Sequence, residues 1–97
     1  MIVYTVGKIT GNPKWKHEFS KAKAMLAGRT IISPLDYPEG LSQRDYMMMS
    51  CQSVFIADVV VCLDNWELSP GATAEVALAR SIETPVMHID EFLIQNL

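Results

Sequence analysis

The sequence predicts an α/β fold: a small doubly wound parallel sheet of about four strands with helices on both faces. Three observations predict it. Short apolar segments alternate with longer amphipathic ones along the whole chain. The run Val59 to Leu63 is apolar without a break and rich in β-branched residues, the pattern of a strand covered on both faces. The stretches that follow the strands are rich in Gly, Pro and polar residues, which break regular structure. A β-α-β-α-β-α-β order with right-handed crossovers then closes one parallel sheet.

The elements follow in order. Met1 to Val6 is the first strand, and 7–13, with two glycines and a proline, is the loop that leaves it. Trp15 to Leu26 is the first helix, with Trp15, Phe19, Ala22 and Met25/Leu26 on one face and Gly28 as the natural stop. Thr30 to Ser33 is a second strand, ended by Pro34, and 34–40 is a loop at the same sheet edge as 7–13. Ser42 caps a second helix that runs to about Phe55, with Asp45 three residues on in the manner of a capping box. Met47, Met48 and Met49 are read as soft core filling. The third strand is 58–63. Ser69 and Pro70, an N-cap and a first-position proline, open a third helix over about 70–81. Thr84 to His88 is the fourth strand, and Asp90 to Leu97 a short final helix.

Composition bounds the function. Ninety-seven residues, 49% hydrophobic and 20% charged, make one domain spanning 1–97 with enough apolar mass for a core. At this size a homodimer or higher homo-oligomer is expected to cover the remaining apolar surface. The net charge of −3 argues against a nucleic-acid polymer as partner. Six of the eight basic groups lie in residues 1–30, and the lysines of the first helix read as a solvated face or as a phosphate contact. Cys51 and Cys62 sit in apolar segments, as free thiols of a reducing compartment do. No signal-peptide pattern opens the chain, and no stretch approaches the ~20 apolar residues of a membrane span. A cytoplasmic protein with no membrane partner is expected.

Chemistry is expected where the loops 7–13, 34–41 and 64–70 converge, at the carboxyl edge of the sheet. Glu75 lies one to two turns into the third helix at that edge. It is either an ordinary early-helix charge or a nucleophile or base facing a small molecule. Asp64 leaves the third strand at the same end, within reach of a sugar hydroxyl or a base. Asp58 opens that strand at the far end and reads as structural. Asp45 either caps its helix or serves the site. The Ser69 hydroxyl either caps or meets an anion at the helix mouth. Gly7 and Gly11 let backbone approach a ligand. Trp66 stacks on a base, packs over its loop or joins a subunit interface. His17 and His88 have no second ligand at metal spacing, so neither a metal nor another cofactor is expected.

Tyr4 to Pro13, the loop 34–40, Ser42-Gln43-Arg44-Asp45-Tyr46-Met47 and Trp66 to Glu75 together resemble the nucleoside 2-deoxyribosyltransferase-like superfamily, within it the small, often phage-encoded DUF4406 group. The resemblance covers nearly the whole chain and implies a flavodoxin-like or Rossmann-like sheet. It implies cleavage or transfer of the N-glycosidic bond of 2′-deoxynucleosides or their 5′-monophosphates. By position Glu75 is the nucleophile that attacks the anomeric carbon, and Tyr4 is the first-strand tyrosine near the sugar. Ser69 and Gly71 match the stretch that contacts the 5′ group, and Asp45 an acid that positions sugar or base. The superfamily's first loop has Gly-Pro, whereas Gly7 is followed by Lys8, a cation suited to a phosphate. The sequence stops soon after the fourth strand, where the transferases continue, so a hydrolase is expected over a base-exchanging enzyme. A nucleotide or ADP-ribose-like ligand-binding protein without turnover is the alternative.

Overall fold

The computed structural model describes residues 1–97. Four strands, β1 (Ile2–Val6), β2 (Thr30–Ile32), β3 (Val59–Cys62) and β4 (Val86–His88), form one all-parallel sheet in the order β2-β1-β3-β4. Tyr4 pairs with Ile32 on one side and Val60 on the other, and Val60 in turn pairs with Val86. Every residue of β3 is buried, as its uninterrupted apolar sequence requires.

Helices α1 (Trp15–Met25) and α4 (Ile89–Gln95) cover one face, and α2 (Gln43–Ile56) and α3 (Pro70–Ser81) the other. Alternation along the strands divides the core accordingly. Val3, Val59, Val61 and Leu63 pack on Phe19, Ala22, Leu26, Ile89 and Phe92. Tyr4, Val6, Val60 and Cys62 pack on Val54, Ala57, Ala72, Val76 and Ala79. Burial of aliphatic and aromatic side chains contributes roughly 1.5–3 kcal/mol each and supplies most of the stability.

Local chemistry sets the helix starts. Ser42 Oγ accepts from Asp45 N–H at 3.1 Å, and Ser69 Oγ accepts from Ala72 N–H at 3.2 Å. Pro70 follows Ser69 at the first helical position. Asp58 opens β3 from its far end, where its carboxylate accepts from Ile2 N–H at 2.6 Å. No helix is long and apolar enough to cross a membrane.

Three expectations need correction. The loop 34–40 contains a 3-10 turn over Pro34–Asp36, capped by the buried Ser33, whose hydroxyl accepts from Leu35 N–H at 3.2 Å. The fourth strand begins at Val86, not Thr84, because Glu83 takes a left-handed conformation (φ 62°) and Thr84 N–H bonds back to the Ala79 carbonyl. Two of the three methionines of α2 are not core filling. Met48 is 53% exposed, and Met47 faces a cleft.

Chain order makes that cleft. β1 passes through α1 to β2 on one side, and β2 passes through α2 to β3 on the other. The segments leaving β1 and β3 therefore diverge at their carboxyl ends, the switch point where open parallel sheets hold ligands.

Candidate functional site

The cleft measures about 800 Å³, within the size range of small-molecule sites. Its walls come from the segment after β1 (Val6 to Thr10), the start of α1, the 34–39 segment, one face of α2 and the start of α3. Glu75 lines it from the second turn of α3.

Tyr4 fixes the carboxylate. Its side chain, fully buried beneath α2 and α3, donates from Oη to Glu75 Oε2 at 3.2 Å. Burial pushes the Glu75 carboxyl up to about 7, while the neighbouring Ser50 hydroxyl and the Tyr4 hydrogen bond favour the anion and limit the rise. Burial, and then the Glu75 charge, push the Tyr4 phenol far above its ordinary range, so Tyr4 stays a neutral donor. Cys62 is likewise pushed up to about 12 by burial and is an inert thiol. The result is a partly desolvated carboxylate with an oriented donor on one oxygen, titrating near neutral pH.

Further along, the cleft becomes electropositive and polar. Lys8 and Lys16 line it, and Lys16 Nζ pairs with Glu39 Oε1 at 3.3 Å across the exposed rim. Ser69 and Gly71 form the opposite wall at the start of α3. The Gly71 N–H has no partner within the chain, whereas those of Ala72 and Thr73 are taken by Ser69. An added Cβ at Gly71 would meet only Ser69 Oγ, at 3.8 Å, so this glycine leaves space at the cleft wall. Gly7 differs, because its Cβ would lie 3.2 Å from Phe19 Cζ and 3.3 Å from Leu63 Cβ. Its small size is demanded by packing as well as by the cleft.

Glu75, Tyr4, Gly7, Lys8, Ser69 and Gly71 are thus brought together. Four other expected residues are not. Asp45 is exposed on α2, and the residues of that helix that line the cleft are Gln43, Tyr46, Met47 and Ser50. At 100° per residue Asp45 points roughly opposite to them, and it is its backbone N–H that Ser42 caps. Asp64 is exposed and lies on the α1–α4 side of the sheet, where its carboxylate meets His88 Nε2 at 2.7 Å. His88 Nδ1 accepts from Asp90 N–H and caps α4, so both ring nitrogens are already engaged, one by the helix and one by Asp64. Trp66 heads a 3-10 turn over Trp66–Leu68 and packs, partly buried, against the α2–α3 half of the core. Gly11 bears a positive φ of 75°, with nothing near its Cβ position, and serves its turn.

Three hydroxyl residues escaped the sequence reading: Tyr37, Ser50 and Ser53. Tyr37 Oη lies 3.4 Å from Tyr4 Oη and 2.7 Å from Ser53 Oγ. The available signal is two serines three residues apart in a stretch of α2 whose only other polar residue is Gln52. Both are buried, and buried hydroxyls need partners.

A model of the family described as DUF4406, a domain of unknown function, matches residues 1–88. The chain belongs to the DUF4406 family. Comparison with curated proteins finds no match. The DUF4406 match runs from β1 to the end of β4, and so takes in every residue of the cleft.

Proposed function

We propose that this DUF4406 chain cleaves the N-glycosidic bond of 2′-deoxynucleosides or their 5′-monophosphates, with Glu75 as nucleophile. The observation that carries the reading is the Tyr4–Glu75 pair, a half-buried carboxylate held by one phenol and open to a cleft of about 800 Å³. The sequence resemblance to the nucleoside 2-deoxyribosyltransferase-like superfamily supports it and supplies the substrate class.

A Glu75 oxygen attacks the anomeric carbon as the glycosidic electron pair leaves with the base, which takes a proton from water. Water then attacks the same carbon, displacing the Glu75 carboxylate and leaving a free sugar. Two displacements replace one difficult step. The Tyr4 hydroxyl holds the carboxylate for attack and receives it again on release. Lys8, Lys16, Ser69 and the free Gly71 N–H suit a 5′-phosphate at the far end of the cleft. Transfer to a second base would use the same intermediate.

The test is a panel of deoxynucleosides and monophosphates, incubated with and without a free acceptor base and resolved by chromatography. Free base, or exchanged nucleoside when acceptor is present, is expected.

One observation favours the reading of a binding protein without turnover. The second carboxylate on the cleft, Glu39, is exposed and paired with Lys16, so no evident acid stands ready for the leaving base. On that reading a nucleotide or ADP-ribose-like ligand raises the melting temperature while no base is released on long incubation.

A further inference from the structure

Behind the Tyr4–Glu75 pair stand two hydroxyls that the proposed chemistry does not use. Tyr37 Oη lies 3.4 Å from Tyr4 Oη and 2.7 Å from Ser53 Oγ, and Ser53 Oγ lies 2.9 Å from the Met49 carbonyl oxygen. Tyr4 and Ser53 are buried, at 0% and 6% exposure, and Tyr37 between them is half-buried at the cleft wall. The groups come from β1, the 34–41 segment and α2, and only the folded chain aligns them.

Each hydroxyl has one proton to give and can accept in return. The chain of protons therefore has two orders. If Ser53 donates to Met49, Tyr37 gives its proton to Ser53 across the shorter contact and offers Tyr4 none. If Ser53 donates to Tyr37, Tyr37 donates to Tyr4 and Tyr4 to Glu75, and every O–H dipole points at the carboxylate. A negative charge on Glu75 favours the second order, and hydrogen bonds aligned in this way strengthen one another. Without that charge the first order loses nothing, since the Met49 carbonyl satisfies Ser53.

We propose that Tyr37 and Ser53 are positioning residues for Glu75, forming a hydrogen-bond chain that turns inward when the carboxylate is charged and outward when it is not. The inference rests on the reading of Glu75 as the reacting carboxylate. Its charge disappears when the bond to the sugar forms and returns when that bond breaks. Only hydroxyl rotors move, and no proton leaves its oxygen. The chain thereby stabilises the carboxylate as a leaving group in the second step.

The test reads Glu75 directly and needs no turnover. Carboxyl carbons are followed by isotope-edited NMR across pH, and the Glu75 signal is assigned by its absence in Glu75→Gln. The other groups around Glu75 are Tyr4 from β1, Ser50 from α2 and Cys62 from β3, whose thiol feels its charge. Lys8, Lys16 and Glu39 line the same cleft, and all of these are left unchanged in the test variants. Tyr37→Phe and Ser53→Ala should each raise the Glu75 midpoint by about half a pH unit, and Ser53→Thr should restore it. A merely structural role would lower the melting temperature and leave the midpoint in place. Tyr37→Phe keeps the ring and decides the matter if Ser53→Ala fails to fold. A midpoint within about 0.1 unit of wild type in Tyr37→Phe would overturn the proposal. Where base release is measurable, kcat should fall with KM unchanged. A shifted midpoint in a protein that releases no base upholds the positioning chain and removes the catalytic reading instead.

Discussion

Tyr4 and Glu75, 71 positions apart in sequence, meet at 3.2 Å between phenol and carboxylate oxygens. The contact joins the first strand to the third crossover helix across the switch point of the sheet. It places a donor on a carboxylate that burial would otherwise disfavour as an anion.

Burial of Glu75 makes stability depend on pH with a definite sign. Its carboxyl is raised from an ordinary 4.5 to about 7 in the folded chain. Between those values the native state holds a proton that the unfolded state has released, so stability falls as pH rises through that window. The full difference is worth about 3 kcal/mol. Glu75→Gln should therefore melt at least about 5 °C above wild type at pH 8 and close to it at pH 5. Thermal melts at the two pH values check this, and parallel curves for the two proteins would contradict it.

The same titration should appear in the rate. A nucleophilic carboxylate must be ionised, so kcat/KM for base release should fall about tenfold per pH unit below a limb near 7. A profile flat down to pH 5 would mean that Glu75 is not the ionisation that matters.

Gly71 and Gly7 should respond to alanine in opposite ways. Gly71→Ala meets only Ser69 Oγ, at 3.8 Å, and removes backbone freedom from the unfolded chain. It should hold or raise stability by up to about 1 kcal/mol while weakening binding of a 5′-monophosphate. Gly7→Ala would press on Phe19 and Leu63 and should cost about 1–3 kcal/mol. Urea unfolding and ligand titration of both variants measure these effects.

Asp45→Asn and Asp64→Asn should leave base release within about twofold of wild type, since exposed substitutions away from a site change little. A large loss in either variant would show that a carboxylate outside the cleft reaches the substrate. Ser69→Ala should do more. It removes the α3 cap, at about 1 kcal/mol, together with a hydroxyl of the cleft wall.

Particular residues show where the sequence was readable and where it was not. β3 and the start of α3 were legible because their signals are local, in the β-branched run at Val59–Val61 and the cap-proline pair Ser69–Pro70. Glu75 inherited its position from those two elements. Asp64 and Trp66 lie in the loop the sequence points to, but Asp64 turns to the α1–α4 side, while Trp66 packs on the α2–α3 half of the core. Asn65 takes a left-handed conformation (φ 65°) before the 3-10 turn, and no residue spacing encodes where that turn sends its neighbours. Which of the two roles open to Asp45 it can take depends on helical phase, set by the face α2 turns to the sheet. Tyr37, Ser50 and Ser53 come from separate packing decisions that place their hydroxyls around Tyr4 and Glu75, and such convergence exists only in the folded chain.

Whether Glu75 is the nucleophile for base release is decided by one comparison. Wild type and Glu75→Gln are incubated with the same deoxynucleoside 5′-monophosphates, and free base is quantified by chromatography. Wild type should release base, and the variant should lose at least about a thousandfold in rate. Undiminished release by Glu75→Gln, or none by wild type across the panel, would contradict that role for Glu75.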